Sequence, residues 1–110
     1  MRRRAEDGAD TLQVLFRATR EFAKEGSQLP ARSALLLYFL GTQPEGQAAF
    51  AEVREECGLG QSQTSRLIVA LVDAGLIVSA APADDRRKSN LRLTAKGRSV
   101  IERIIQAAIP

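Results

Sequence analysis

The residues best suited to recognition chemistry fall in two short runs. The first is Gln61-Ser62-Gln63-Thr64-Ser65-Arg66, which follows Gly58 and Gly60. Glutamine can pair bidentately with adenine, serine bonds to a base or a phosphate, and arginine addresses guanine or phosphate. No acidic side chain interrupts the run, although Asp and Glu are favoured at helix starts. Taken alone, these six residues would equally suit a solvated helix start. The second run is Asp84-Asp85-Arg86-Arg87-Lys88. At a loop tip it would bring a guanidinium to a narrow minor groove, where the negative potential is strongest. As a plain loop it would simply be solvated.

Other chemistry is poorly supplied. Histidine is absent and cysteine occurs once, at Cys57, so a Ser-His-Asp triad, a His-ligated metal or a multi-cysteine zinc site is excluded. Glu52, Glu55 and Glu56 fall on the outer side of a short helix and read as a solvated face. Cys57 falls on its apolar side with no cationic neighbour, so a buried structural thiol is expected rather than a redox sensor. No enzyme activity and no cofactor are expected. A lone cysteine also rules out a disulfide framework and favours a reducing compartment.

The chain has 110 residues, room for one domain. Sixteen Lys and Arg against 13 Asp and Glu give a net charge of +3. The placement of that charge says more than its sum. Residues 60–100 hold seven basic and three acidic side chains, whereas residues 1–59 hold eight and nine. The surplus lies in the half that contains both recognition runs. The N-terminus has arginines but no apolar stretch after them, and the longest apolar run, Ala34–Leu40, is too short to span a bilayer. A cytoplasmic protein without membrane contact is expected.

These runs need elements to position them. Residues 1–9, with Arg2, Arg3 and Arg4, read as a flexible basic arm, and Asp10 as the N-cap of a helix over about 11–25. Leu12, Leu15, Phe16, Thr19, Phe22 and Ala23 give that helix an apolar face, and Gly26 ends it. Pro30 suits the first turn of a second helix, apolar nearly all round to Leu40 and closed by Gly41. After a loop over Thr42–Gln47, a third helix is expected at about 49–57 and a fourth at 61–74. In the fourth, Thr64, Leu67, Ile68, Leu71 and Val72 should face inward. Leu76-Ile77-Val78 and Asn90–Leu93 read as the strands of a β-hairpin, and Thr94 as the N-cap of a last helix over about 95–109.

The order is a mainly α chain with a small β-hairpin, α-α-α-α-β-β-α, a winged helix-turn-helix. The helix after the tight turn is as wide as the major groove and would place its first turns against base edges.

The run Gly60–Ile77 resembles the recognition helix and following strand of MarR-type winged-helix regulators. Asp85–Gly97 resembles their wing and the Leu-Thr-x-x-Gly start of the next helix. Leu29-Pro30 before an apolar helix is similar too, so the resemblance covers roughly residues 29–100. It implies a homodimeric, cytoplasmic transcription regulator on palindromic double-stranded DNA, often a repressor released by a ligand or an oxidant. On that resemblance Gln61, Ser62, Gln63, Ser65 and Arg66 face the groove, Arg86 enters the minor groove, Asp85 pairs with Arg87 to stabilise the wing, and Arg87 lies near phosphate. Lys88 joins the basic contacts.

Members of that family are usually longer at both ends, which makes a small-molecule effector doubtful here. Residues 10–110 are expected to form the DNA-binding domain. Its terminal helices (about 10–26 and 95–109) would dimerise through Leu12, Leu15, Phe16, Phe22, Ile101, Ile104 and Ile105, because one small domain would otherwise expose these stripes. Two other readings stay open: an antirepressor-like protein-interaction module, and a plasmid or phage DNA-binding protein for replication or partition.

Overall fold

The seven-residue apolar run Ala34–Leu40 is wrapped by the chain on one side, which buries Leu36, Leu37 and Leu40 and leaves Leu35 47% exposed. The computed structural model describes residues 2–26, 28–80 and 90–109, with side chains from residue 8 onward. The element order is α1 (Arg2–Ala23), α2 (Ser33–Thr42), β1 (Gln47–Ala49), α3 (Phe50–Cys57), α4 (Gln61–Asp73), β2 (Ile77–Ala80), β3 (Asn90–Leu93) and α5 (Ala95–Ala108). Leu36, Leu37 and Leu40 of α2 are completely buried and sit in one core with Val53, Leu67, Leu71, Ile77, Leu91 and Val100. At roughly 1.5–3 kcal/mol per buried aliphatic side chain, this cluster is the main stabilising force of the fold.

The strands form one antiparallel sheet in the order β1-β3-β2. Ile77 pairs with Leu93 and Ala80 with Asn90 across β2 and β3, while Ala48 pairs with Leu91 across β1 and β3. Leu91 and Leu93 point into the core and Asn90 and Arg92 point out, as the two-residue period of a strand requires.

Three expectations change. The segment 1–9 is not an arm over its described part: α1 begins at Arg2 and runs through Asp10, which therefore caps nothing. Gly41 does not close α2, which continues to Thr42. The hairpin is a three-stranded sheet, because Gln47–Ala49 adds an edge strand to it. Just before β1, a tight turn over Pro44–Gly46 holds Glu45 in the left-handed region at φ 59°. There Glu45 O accepts a hydrogen bond from Arg98 Nη2 at 3.0 Å, which ties the turn to α5.

Candidate nucleic-acid interface

The α3–α4 turn is built by backbone alone. Gly58 takes the left-handed conformation (φ 66°) that a side chain would resist. Its N–H bonds to Glu55 O, and Leu59 N–H bonds to Arg54 O, each at 3.1 Å. α4 then starts after an extended Gly60 with no side-chain cap and no acidic residue in its first turn. Thr64 is fully buried and folds back on that start, its N–H and its hydroxyl both donating to Gly60 O at 2.9 and 2.8 Å. The helix N-terminus is thus left with exposed, unpaired backbone donors, the arrangement that favours an anion.

Thr64, Leu67, Ile68 and Leu71 are buried, so the opposite side of α4 faces out. Gln61, Ser62, Ser65 and Arg66 are exposed and share that side, while Gln63 is half-buried at its margin. Val72, expected on the inner face, is 39% exposed. Its position three residues beyond Val69 keeps it near the outward side rather than under the core. Val69 is 56% exposed and went unmarked among the sequence-based site residues. Helical spacing alone turns it outward, at i+4 from Ser65 and i+3 from Arg66, but an aliphatic side chain gave no sign of a recognition role.

β2 and β3 leave the body at the Ala80–Asn90 pair. Asp85, Arg86, Arg87 and Lys88 lie beyond that pair and outside the described residues. What is described is the base from which they emerge. Asn90 Nδ2 donates to Gln47 Oε1 at 3.1 Å, and Gln47 Nε2 donates to Glu45 Oε2 at 3.0 Å, a polar chain crossing from β3 to β1.

The Leu-Thr-x-x-Gly segment is a joint. Thr94 Oγ1 donates to Gly75 O at 2.6 Å and accepts from Gly97 N–H at 3.0 Å, while Thr94 N–H bonds to Leu76 O at 3.0 Å. Lys96 Nζ donates to Ala74 O at 2.8 Å. A Cβ at Gly97 would overlap the Leu76 carbonyl, so only glycine lets α5 pass this close to the end of α4. One threonine and one glycine therefore lock the end of α4 to α5.

The terminal helices divide the residues expected at a dimer contact. Leu12, Leu15, Phe16 and Ile105 are 50–68% exposed. Phe22 and Ile104 are 5% exposed and belong to the protomer's own core, where Phe22 meets Tyr38 edge-on at 6.3 Å. Ile101 is half-buried, packed against the core. For these three the sequence reading is corrected from interface to core: their side of each stripe is covered by α2. Ile109, 58% exposed, extends the outer stripe of α5 and was missed, although it follows Ile105 by four residues.

Cys57 is half-buried, and burial together with the charge of Glu56 raises its pKa. A thiol so placed resists ionisation and suits a structural role. Among the described residues no group of His, Cys, Asp and Glu could hold a metal ion. No helix among them is long and apolar enough to cross a membrane.

An uncapped helix behind a glycine turn, packed on a three-helix core and followed by an antiparallel sheet, defines a winged helix-turn-helix protein. A family model described as the MarR family matches residues 27–88, and the chain belongs to that family. The family's similar structures are of transcriptional regulators, not enzymes. Transcriptional regulator Tm0710 from Thermotoga maritima superposes with a TM-score of 0.74 at 22% identity, covering 89% of this chain and 66% of its own. Streptomyces coelicolor Sco3205, a MarR family transcriptional regulator in complex with DNA, gives 0.68 at 21% identity, covering 96% and 65%. Bordetella bronchiseptica BpsR, described by a mechanism for regulation of its DNA binding by 6-hydroxynicotinic acid, gives 0.64 at 24% identity, covering 94% and 78%. The chain spans only about half, 51%, of another Streptomyces coelicolor MarR regulator, Sco5413. No curated protein matches the chain.

Proposed function

We propose that the protein is a cytoplasmic, sequence-specific regulator of transcription that binds an inverted repeat in double-stranded DNA as a homodimer and represses. The observation that carries this reading is the outward side of α4. Gln61, Ser62, Ser65 and Arg66 are exposed together beside a helix N-terminus that has no side-chain cap and no acid. Such a surface satisfies base edges and phosphates at once. The Asp85–Lys88 run adds Arg86 to the minor groove and Arg87 and Lys88 to the backbone, with Asp85 steadying Arg87.

Dimerisation is supported by the exposed stripe Leu12, Leu15 and Phe16 on α1, by Ile105 on α5 and by Ile109 just beyond its end. Repression is the mode proposed: a dimer seated on two successive major grooves within a promoter would keep polymerase from it. Two recognition helices about 34 Å apart would read half-sites one helical turn apart.

Selection from a pool of random duplexes, followed by size-exclusion chromatography of the complex, tests this. The expected outcome is a two-fold symmetric site holding two chains, with affinity that falls steeply with salt. Recovery of no duplex, or of an asymmetric site holding one chain, overturns it. BpsR is described as regulated by a small organic acid. Titrating such acids into the DNA complex checks directly whether this shorter chain keeps that control.

A further inference from the structure

The outward side of α4 carries an aliphatic residue that the fold does not use. Val69 is 56% exposed, while the buried residues Thr64, Leu67, Ile68 and Leu71 occupy the other side of the helix. It stands seven residues after Ser62, four after Ser65 and three after Arg66, which puts it on the midline of the polar face rather than at its edge. A β-branched residue at such a position has lower helix propensity than the common polar residues and gains nothing from burial. A solvated helix face has no need of it there.

The floor of the major groove presents one projecting apolar group, the C5 methyl of thymine. Apart from the flat C5–H edge of cytosine, the other groups there are hydrogen-bond donors or acceptors, which a valine cannot satisfy. The rise from Gln61 to Val69 is about 12 Å, close to the groove's width of about 12 Å. The whole face therefore fits within one groove. A protein partner would need a broad apolar patch, whereas Val69 is bordered by Ser62, Ser65, Arg66 and Asp73, with only the less exposed Val72 as an apolar neighbour.

We propose that Val69 is a specificity residue that selects thymine, through its methyl group, at one position of each half-site. The inference rests on the DNA-binding reading above and adds to it a contact that no polar side chain of α4 supplies.

The test uses the full chain and the duplex it selects from a random pool. Each thymine of that duplex is replaced in turn by deoxyuridine, which removes only the methyl. The wild-type protein is expected to lose about fourfold in affinity at one thymine of each half-site, the worth of one buried methyl group. Val69→Ala, which changes both half-sites of the dimer at once, is expected to bind thymine DNA about fifteenfold more weakly, about fourfold per half-site, and to be indifferent to deoxyuridine at those positions. Val69→Thr, which keeps one of the two methyls, should retain part of the discrimination. Circular dichroism checks that both variants remain folded, as an exposed site predicts. If the protein selects a duplex and no thymine shows a loss that depends on Val69, this inference falls and the DNA-binding reading stands. If it selects no duplex, both fall.

Discussion

Gly97 is the position where a single methyl group does the most damage. Its Cβ would meet backbone, the Leu76 carbonyl, which cannot rotate aside. Gly97→Ala should lower stability by about 1–3 kcal/mol, the usual range for overpacking, in urea unfolding. Ser33 should respond in the opposite sense. It is fully buried at the start of α2, and its hydroxyl has no hydrogen-bond partner. Ser33→Ala removes that stranded group and is expected to raise stability by about 1 kcal/mol in the same measurement. Two titrating side chains also report on burial. Burial raises the pKa of Tyr38 from its ordinary 10.0, and burial with the Glu56 charge raises that of Cys57 from 9.0. The fold therefore favours both neutral forms. Their contribution is complete below the unfolded-state values and is lost as pH climbs through the higher folded ones. Stability should hold to about pH 9, the thiol's ordinary value, and decline above it. Alkylation of Cys57 should be slower than that of a free thiol at pH 8, and a rate equal to the free thiol's would contradict its burial.

At the scale of elements, α4 and the segment 81–89 should contribute differently to binding. Gln61→Ala is expected to cost about 1–3 kcal/mol at one base pair and to relax specificity there, read from affinities for single-base variants of the selected site. Arg86→Ala should cost a similar amount, and Lys88→Ala should weaken all sequences alike while reducing the salt slope by about one. An Arg86→Ala variant that bound as tightly as the parent would remove the wing from the proposal. The elements that carry these residues were largely legible. In α4 the apolar period and the flanking glycines mark both ends of the helix, and Thr94 stands where a cap was expected, accepting from Gly97 N–H. β1 was not legible, because Gln47-Ala48-Ala49 has no β-branched or aromatic residue and its pairing with β3 is a long-range contact that local pattern does not announce. The start of α1 was missed for a related reason. Gly8 and the acidic and basic residues before it have no apolar period, although arginine, alanine and glutamate are all good helix formers.

The whole molecule measures 55 × 27 × 25 Å, longer than a compact domain of its size requires. α1 packs along α5, and Arg103 of α5 pairs with Glu25 at 2.8 Å, so the two terminal helices form one unit. The outer side of that unit is apolar and uncovered at Leu12, Leu15 and Phe16, with Arg20 lying 5.4 Å from the Phe16 ring. Phe16→Glu, or Leu12→Glu, should convert a dimer to monomers in analytical ultracentrifugation and leave the protomer's helical circular dichroism unchanged, since neither side chain is in the core, with Tm lowered only by the lost association. Affinity for a two-fold site should fall more than tenfold, because each monomer then binds alone. A variant that stayed dimeric would place the contact elsewhere. Periodicity revealed that both terminal helices carry apolar stripes. It did not reveal which residues of each stripe α2 would claim, since Phe22 and Leu15 look alike until α2 is placed over Phe22.

The bond set around Thr94 and Gly97 has one more effect. With Thr94 fastened to Gly75 and Leu76, and Lys96 to Ala74, the end of α4 has no freedom to swivel against α5. In a pair of chains, tilting one stalk relative to the other would swing its reading tip through the same arc, as with the two arms of a drafting compass. Control over such a protein would then act on the opening between the tips, leaving each tip's own shape untouched.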